Sequence, residues 1–190
     1  DCVGLGYDGS NIYHVGGYND GGVIKPRILQ NDMDGNTIDS CLFTPFGGSM
    51  PSNKLLSLTY VDGYIWILMI NYANTDPYLL KMSFATPTCT THASYDISAN
   101  SPNAFTMGLN GTKIMVIDGY SATNNPIDTY DLAGNYESTF DADINYGIFV
   151  DEARGFILGS RVNGYFDQTI KVWNLDFSIL YHSELIGSGN

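Results

Sequence analysis

Four tandem repeats are the feature that most constrains the fold of this chain. Each repeat contains four apolar, strand-like segments, with a tight turn between the first two. These turns are Asp8-Gly9, Asp62-Gly63, Asn110-Gly111 and the longer Asp151–Gly155, spaced by about 54, 48 and 42 residues. Repeats of this length are typical of propeller blades, in which each repeat forms one four-stranded antiparallel sheet.

The pattern within each repeat predicts an all-β fold. The segments are rich in Val, Ile, Tyr, Phe and Thr and are bounded by Gly, Asn, Asp or Pro, as strands are. No window sustains the apolar spacing of a helix. The second segments, such as 65–70 and 114–117, are almost continuously apolar, as a sheet buried on both faces requires.

We therefore predict a single β-propeller domain, with blades at about residues 1–50, 51–100, 101–144 and 145–190. Four blades either close a small ring or form an arc of a larger one, and the sequence leaves both arrangements open.

Two stretches resemble the blades of known propeller families. Residues 169–176 (TIKVWNLD) resemble the third strand of a WD-repeat blade, and residues 11–18 (NIYHVGGY) resemble the double-glycine strand of a kelch blade. The resemblance implies a β-propeller fold. Because propellers carry enzymes, adhesins and scaffolds alike, it implies no particular activity.

The charge of the chain limits its partners. Twenty acidic residues face eight basic ones, for a formal net charge of −12. Such a surface repels phosphate backbones and anionic lipid, so we predict neither a nucleic-acid partner nor a membrane-surface one. The longest apolar run, Tyr64–Ile70, is too short to insert into a bilayer, which needs roughly 20 residues.

The remaining composition predicts an extracellular or cell-surface location, because Lys is scarce and Tyr, Asn, Thr, Ser and Gly are plentiful. A chain that starts at Asp1 has lost a signal peptide or is a piece of a longer protein. The three cysteines, Cys2, Cys41 and Cys89, leave two interpretations open. They form one disulfide with a third thiol left over, or all three are buried thiols.

A tyrosine after the second strand of every blade is the most repeated polar feature and predicts a binding face. Equivalent loops of a propeller share one face, where tyrosine rings give contact area and amides give directional hydrogen bonds. The alternative is that each ring covers the apolar gap between blades. The predicted binding residues are Tyr18, Asn19, Asp20, Tyr72, Asn74, Tyr120, Asn124, Tyr165 and Asp167.

Two motifs raise the question of a metal or a cofactor. Residues 30–39 have the alternating acidic residues of a calcium loop. The third repeat carries Ala133 where this loop has Asp34, so Asp32–Asn36 and Asp131–Asn135 are better explained as the same turn. The GxGxxG at residues 4–9 precedes a strand instead of the helix that a dinucleotide requires. We predict no metal and no cofactor.

Asn110-Gly111-Thr112 is a sequon for N-glycosylation. Asn-Gly is also the favoured pair for a two-residue hairpin turn, and both explanations can hold together.

The sequence contains no complete reaction motif, and three functions remain. We expect a non-catalytic extracellular module that contacts protein or glycan. The second alternative is a subunit of an extracellular filament that self-associates through its blade ends. The third is a carbohydrate-active enzyme that uses a carboxylate pair, Asp118 with Asp141 or Asp143.

Overall fold

A computed structural model describes residues 4–20, 23–43, 53–71, 75–119, 125–142, 144, 146–163 and 167–187. Only the backbone is described at 17–20, 23–24, 53–55, 146, 161–163, 167–168 and 185–187. The chain separates into two compact units, Asp1–Ser98 and Ala99–Asn190. Each unit contains two of the predicted blades.

In the first unit, each blade is a four-stranded antiparallel sheet whose strands lie in chain order. Blade 1 contains β1 (Leu5–Tyr7), β2 (Ile12–Asp20), β3 (Val23–Asn31) and β4 (Thr37–Leu42). Blade 2 contains β5 (Asn53–Val61), β6 (Tyr64–Asn71), β7 (Asp76–Ser83) and β8 (Thr90–Asp96).

The second unit repeats this arrangement. Blade 3 contains β9 (Ala104–Asn110), β10 (Lys113–Asp118), β11 (Pro126–Tyr130) and β12 (Tyr136–Asp141). Blade 4 contains β13 (Tyr146–Asp151), β14 (Phe156–Asn163), β15 (Asp167–Asn174) and β16 (Leu180–Gly187). The described residues include no helix, and the predicted fold class, an all-β propeller type with four four-stranded antiparallel blades, is confirmed.

Blades 1 and 2 pack through their first two strands. A Cβ atom added at Gly6 on β1 would lie 2.9 Å from Leu58 Cδ2 on β5, so only glycine allows this approach. Beside it, the ring of Tyr13 stacks on that of Tyr60 with centroids 5.3 Å apart. We call the side of a blade that contacts the next blade in the chain its forward face, and the side that contacts the preceding blade its rear face.

Blades 3 and 4 pack in the same way. A Cβ atom added at Gly108 on β9 would lie 2.9 Å from Ile148 Cγ2 on β13. Met115 and Ile117 of β10 share a buried cluster with Ile157 of β14. Each unit therefore has its own apolar core between two blades, where burial of apolar side chains stabilises the fold.

A disulfide ties blades 1 and 2 together. Cys41 on β4 is bonded to Cys89 just before β8, with Cα atoms 5.2 Å apart. The backbone reinforces the link, because Cys89 N donates to Leu42 O at 2.8 Å and Leu42 N donates to Pro87 O at 2.9 Å. Of the two interpretations that the sequence left open, the disulfide is the one found, and Cys2 lies outside the described residues.

Candidate functional site

The predicted binding face consists of the loops between the second and third strands of the blades. Tyr18, Asn19 and Asp20 end β2, and Asp167 begins β15, where only the backbone is described. Tyr72, Asn74, Tyr120, Asn124 and Tyr165 lie outside the described residues. The side chains of this set are not among those that the structure describes, so their assignment to a binding face stays a prediction.

The base of the blade 2 loop is described and is tightly closed. Thr75 N donates to Asn71 O at 2.7 Å. Thr75 has a φ of 64°, a left-handed conformation that is costly for a β-branched residue. Such a conformation persists only where neighbouring contacts hold it. The residues at the base of this loop, Asn71 and Thr75, are therefore held in fixed positions.

The base of the blade 3 loop is also anchored. Asn103 N donates to Asp118 Oδ1 at 2.7 Å, and Gly119 N donates to Asn103 O at 3.0 Å. At the other end of the loop, Asn125 is fully buried. Burial raises the pKa of the Asp118 carboxyl, the bond from Asn103 opposes this, and the charge of Asp128 adds to the increase.

A buried polar network lies in the same blade. Ser101 Oγ donates to Asp128 Oδ2 at 2.7 Å and contacts the Tyr130 hydroxyl at 2.6 Å. Thr139 Oγ1 donates to the other Asp128 oxygen at 2.5 Å. Burial raises the pKa of Tyr130 to about 12, although its bond with Ser101 opposes the increase.

Sequence reasoning missed this network. Ser101 lies in a connector between blades, 27 residues from Asp128. No local pattern distinguishes it from other loop serines, and only the folded packing brings the two together. Because both oxygens of Asp128 accept hydrogen bonds inside the blade, the network fits a structural role that fixes strands β11 and β12 to the connector.

The carboxylate pairs considered for carbohydrate hydrolysis are only partly described. Asp118 is half-buried at the end of β10, Asp141 is exposed at the end of β12, and Asp143 lies outside the described residues. The carboxylate whose charge raises the pKa of Asp118 is that of Asp128.

The two aspartate turns have the same geometry, as the repeat predicts. Asp32 accepts from the backbone N–H groups of Asp34 and Asn36 and from the Asn36 side chain. Asp131 accepts the equivalent three bonds, in which Asn135 takes the place of Asn36. These bonds lower the pKa of both carboxyl groups. Among the described residues, no group of three or more acidic, His or Cys side chains is arranged to hold a metal ion.

Asn110 ends β9, and the hairpin turn follows it as predicted. Its Nδ2 donates to Leu175 O at 3.0 Å, and Gly111 N donates to the Glu152 side chain. The amide nitrogen to which a glycan would be attached therefore also links blade 3 to blade 4. Glycosylation of Asn110 stays a prediction.

Exposed apolar residues lie on the first strands of blades 1 and 4. Leu5 and Tyr7 on β1 are 62% and 54% exposed, and Phe149 on β13 is 60% exposed. Sequence reasoning did not single them out, because the strand pattern alone does not show which apolar side chains are exposed. No helix of the described residues is long and apolar enough to cross a membrane.

No protein-family model matches the sequence, and no curated protein does. Among solved structures, the chain is similar to a protein of unknown function from Bacteroides caccae, with a TM-score of 0.58 and 10% sequence identity. That similarity covers 97% of this chain and 60% of the other, so this chain spans little more than half the length of the Bacteroides protein. A structure of the eukaryotic initiation factor aligns with a TM-score of 0.42 and 10% identity, over 99% of this chain and 55% of that one. At these values the first similarity concerns the fold alone, and the second carries no argument.

Proposed function

We propose that this chain is a non-catalytic binding or structural module that acts outside the cell or at its surface. It contacts protein or glycan through the four loops that follow the second strands. The observation that carries the proposal is that hydrogen bonds hold the bases of two of these loops. Thr75 N donates to Asn71 O in blade 2, and Asn103 N donates to Asp118 Oδ1 in blade 3. Loops held by a rigid scaffold are the usual place for binding residues.

The location and the partner class rest on two further observations. The Cys41–Cys89 disulfide favours an oxidising compartment, since cytosolic thiols are normally kept reduced. The net charge of −12 disfavours nucleic acid and anionic lipid as partners. Protein and glycan remain, and both suit a surface of tyrosines and amides.

We also propose that the blades are of WD-repeat or kelch type. The resemblance to a WD-repeat blade concerns its third strand. Trp173, the aromatic residue of the WD-like stretch, lies on β15, the third strand of blade 4, which supports the proposal.

The test of the binding face is a variant in which Tyr18, Tyr72, Tyr120 and Tyr165 are all replaced by Ser. Binding is measured on an array of extracellular glycans and against extracellular proteins of the native source. We expect the wild type to bind and the variant to lose retention at least tenfold, with unchanged circular dichroism.

The matched control replaces two exposed tyrosines on fourth strands, Tyr136 and Tyr181, by Ser. This control should bind as the wild type does. Equal loss in the two variants, or undiminished binding by the loop variant, would remove the assignment of these loops.

A filament or appendage subunit is the second candidate function. The observation that favours it is the exposure of Leu5 and Tyr7 on β1 and of Phe149 on β13, because large exposed apolar residues that cluster mark association surfaces. Electron micrographs of material from the native source test it. Filaments support this candidate, and discrete particles at every concentration count against it.

A further inference from the structure

The tip of the first hairpin of blade 3, Asn110 and Gly111, lies against two turns of blade 4. Asn110 pairs with Lys113, so the chain turns directly after Asn110. Asn110 Nδ2 donates to the carbonyl oxygen of Leu175 at 3.0 Å, in the turn that follows β15. Gly111 N donates to the side chain of Glu152, in the turn between β13 and β14. Each of these two nitrogen atoms therefore joins blade 3 to blade 4.

The same two nitrogen atoms are the reacting atoms of asparagine deamidation. In that reaction, Gly111 N attacks the side-chain carbonyl carbon, Cγ, of Asn110. A bond forms between these two atoms, the bond between Cγ and Nδ2 breaks, and Nδ2 leaves as ammonia. The attacking nitrogen gives up a proton, and the leaving nitrogen takes one up. Water then opens the resulting five-membered ring to aspartate or isoaspartate, so the overall change consumes water, releases ammonia and needs no other reactant.

The glycine after Asn110 permits this attack. A residue without a Cβ atom lets its backbone nitrogen approach the preceding side chain closely. Among the described residues, the atoms within 4 Å of a Cβ placed at Gly111 are Oε1 and Cδ of Glu152. Release of the Glu152 side chain would therefore leave the attacking nitrogen open.

The docked tip opposes the reaction at both atoms. Gly111 N must lose its proton and turn toward Asn110 Cγ, which breaks its bond to Glu152. Asn110 Nδ2 must leave, which breaks its bond to the Leu175 oxygen. Both changes require the tip to separate from blade 4, and all of these groups lie in the unit Ala99–Asn190. Local separations of this kind occur in folded proteins at a lower free energy than global unfolding.

We propose that Asn110 is a deamidation site that is gated by the contact between blades 3 and 4. The residue is preserved while the tip is docked and reacts when the tip opens. The product then keeps the tip open, because an aspartate side chain has no N–H group for the Leu175 oxygen and adds a negative charge close to Glu152. Isoaspartate also lengthens the backbone of the hairpin. Opening of the blade contact is therefore recorded irreversibly.

This inference goes beyond the proposed binding function and does not depend on the loop tyrosines. It concerns the chain without a glycan on Asn110, because a glycan would be attached to the same nitrogen atom. The test therefore uses the whole chain produced without N-glycosylation and kept near neutral pH. Peptide mapping by mass spectrometry locates the gain in mass at Asn110 and gives its rate.

Two substitutions of Glu152 change the gate in different ways. Glu152→Ala removes the acceptor for Gly111 N, so we expect Asn110 to react about fivefold faster than in the wild type, the effect of losing one exposed hydrogen bond. Glu152→Gln is the matched control, since its side-chain oxygen still accepts from Gly111 N, and Asn110 should react at nearly the wild-type rate. Unfolding in urea should raise the rate above that of both variants.

These variants also separate gating from catalysis by Glu152. A carboxylate that removed the proton of Gly111 N as a general base would make both variants slower than the wild type. That result would overturn the proposal. Equal rates in the wild type and Glu152→Ala, or a wild-type rate as high as that of the urea-unfolded chain, would overturn it as well. Circular dichroism and melting temperature check that both variants fold.

Asn110→Asp tests the consequence of the reaction, since it creates one of the two products directly. It should lower the melting temperature by about 2–4 °C, the shift expected when a chain of this length loses a contact of modest strength. Thr112→Asp is the control, because it adds the same charge at an exposed position of the same turn and leaves the bond to Leu175 in place. The control should melt as the wild type does. Equal losses in the two variants, or no loss in Asn110→Asp, would overturn the claim that the product keeps the tip open.

Discussion

At the scale of single residues, the aspartates at the turns act mainly as acceptors for backbone N–H groups. Asp8 is an example, because its carboxylate accepts from the backbone of Ser10 and Asn11, from the Asn11 side chain and from the Tyr13 hydroxyl at 2.7 Å. Partial burial raises the pKa of Asp8, but these bonds outweigh it and lower the pKa to about 2. Burial, together with the same bond to Asp8, raises the pKa of Tyr13.

This shift predicts acid sensitivity with a definite sign. Since the folded pKa lies below the ordinary value of 3.8, the ionised Asp8 stabilises the fold above that pH, and the contribution is lost as pH falls toward 2. We expect Asp8→Asn to be less stable than the wild type at neutral pH, with a difference that shrinks between these two pH values. Urea unfolding at a series of pH values measures it. A difference independent of pH would contradict this role for Asp8.

At the scale of elements, glycine sets the distance between the first strands of blades 3 and 4. Gly108 on β9 has no room for a side chain, because its Cβ would lie 2.9 Å from Ile148 Cγ2 and 3.3 Å from Ile148 O. Overpacking of this kind costs about 1–3 kcal/mol. We therefore expect Gly108→Ala to lower the free energy of unfolding by an amount in that range, measured by chemical denaturation.

A double-mutant cycle checks the cause. Ile148→Ala removes the opposing Cγ2 but leaves the Cβ 3.0 Å and the carbonyl oxygen 3.3 Å from the added atom. In this background Gly108→Ala should cost less, by the share of the overpacking that is due to Cγ2. Additive costs would mean that the contact with Cγ2 contributes nothing to the cost of Gly108→Ala.

The elements were also the part of the structure that the sequence predicted best. Alternation and turn residues located the hairpins of all four blades, and Gly9, Gly63 and Gly111 have the positive φ values that such turns require. These signals are local, so they can be found without the fold. The Ser101–Asp128 network and the pairing of Cys41 with Cys89 depend on contacts between distant segments, and the sequence left them undetected or open.

At the scale of the whole molecule, the Cys41–Cys89 disulfide links blades 1 and 2 covalently. The bonded cysteines are 48 residues apart, and closing a loop of that length restricts the unfolded chain. In the chain-entropy account this stabilises the fold by about 4 kcal/mol. We expect replacement of Cys41 and Cys89 together by Ala to lower the melting temperature by about 10 °C, the size of shift expected for a chain of this length.

Cys2→Ser provides the control for the disulfide, since it removes a thiol without touching the bond. Its melting temperature should match that of the wild type. Hydrogen exchange should show that the double variant loses protection first in the unit Asp1–Ser98, which contains both cysteines. An unchanged melting temperature, or loss of protection confined to the other unit, would contradict this account of the bond.

The central claim at this scale is that blades stabilise one another by packing a forward face on a rear face. Equivalent leucines on β5 and β1 test it, because Leu58 is buried in such a contact and Leu5 is 62% exposed. Leu58→Ala should lower the free energy of unfolding by about 2–5 kcal/mol, the cost of emptying a buried leucine site. Leu5→Ala should change it by no more than about 0.5 kcal/mol, as an exposed substitution does. Equal costs at the two positions, whether both are large or both are small, would contradict the account.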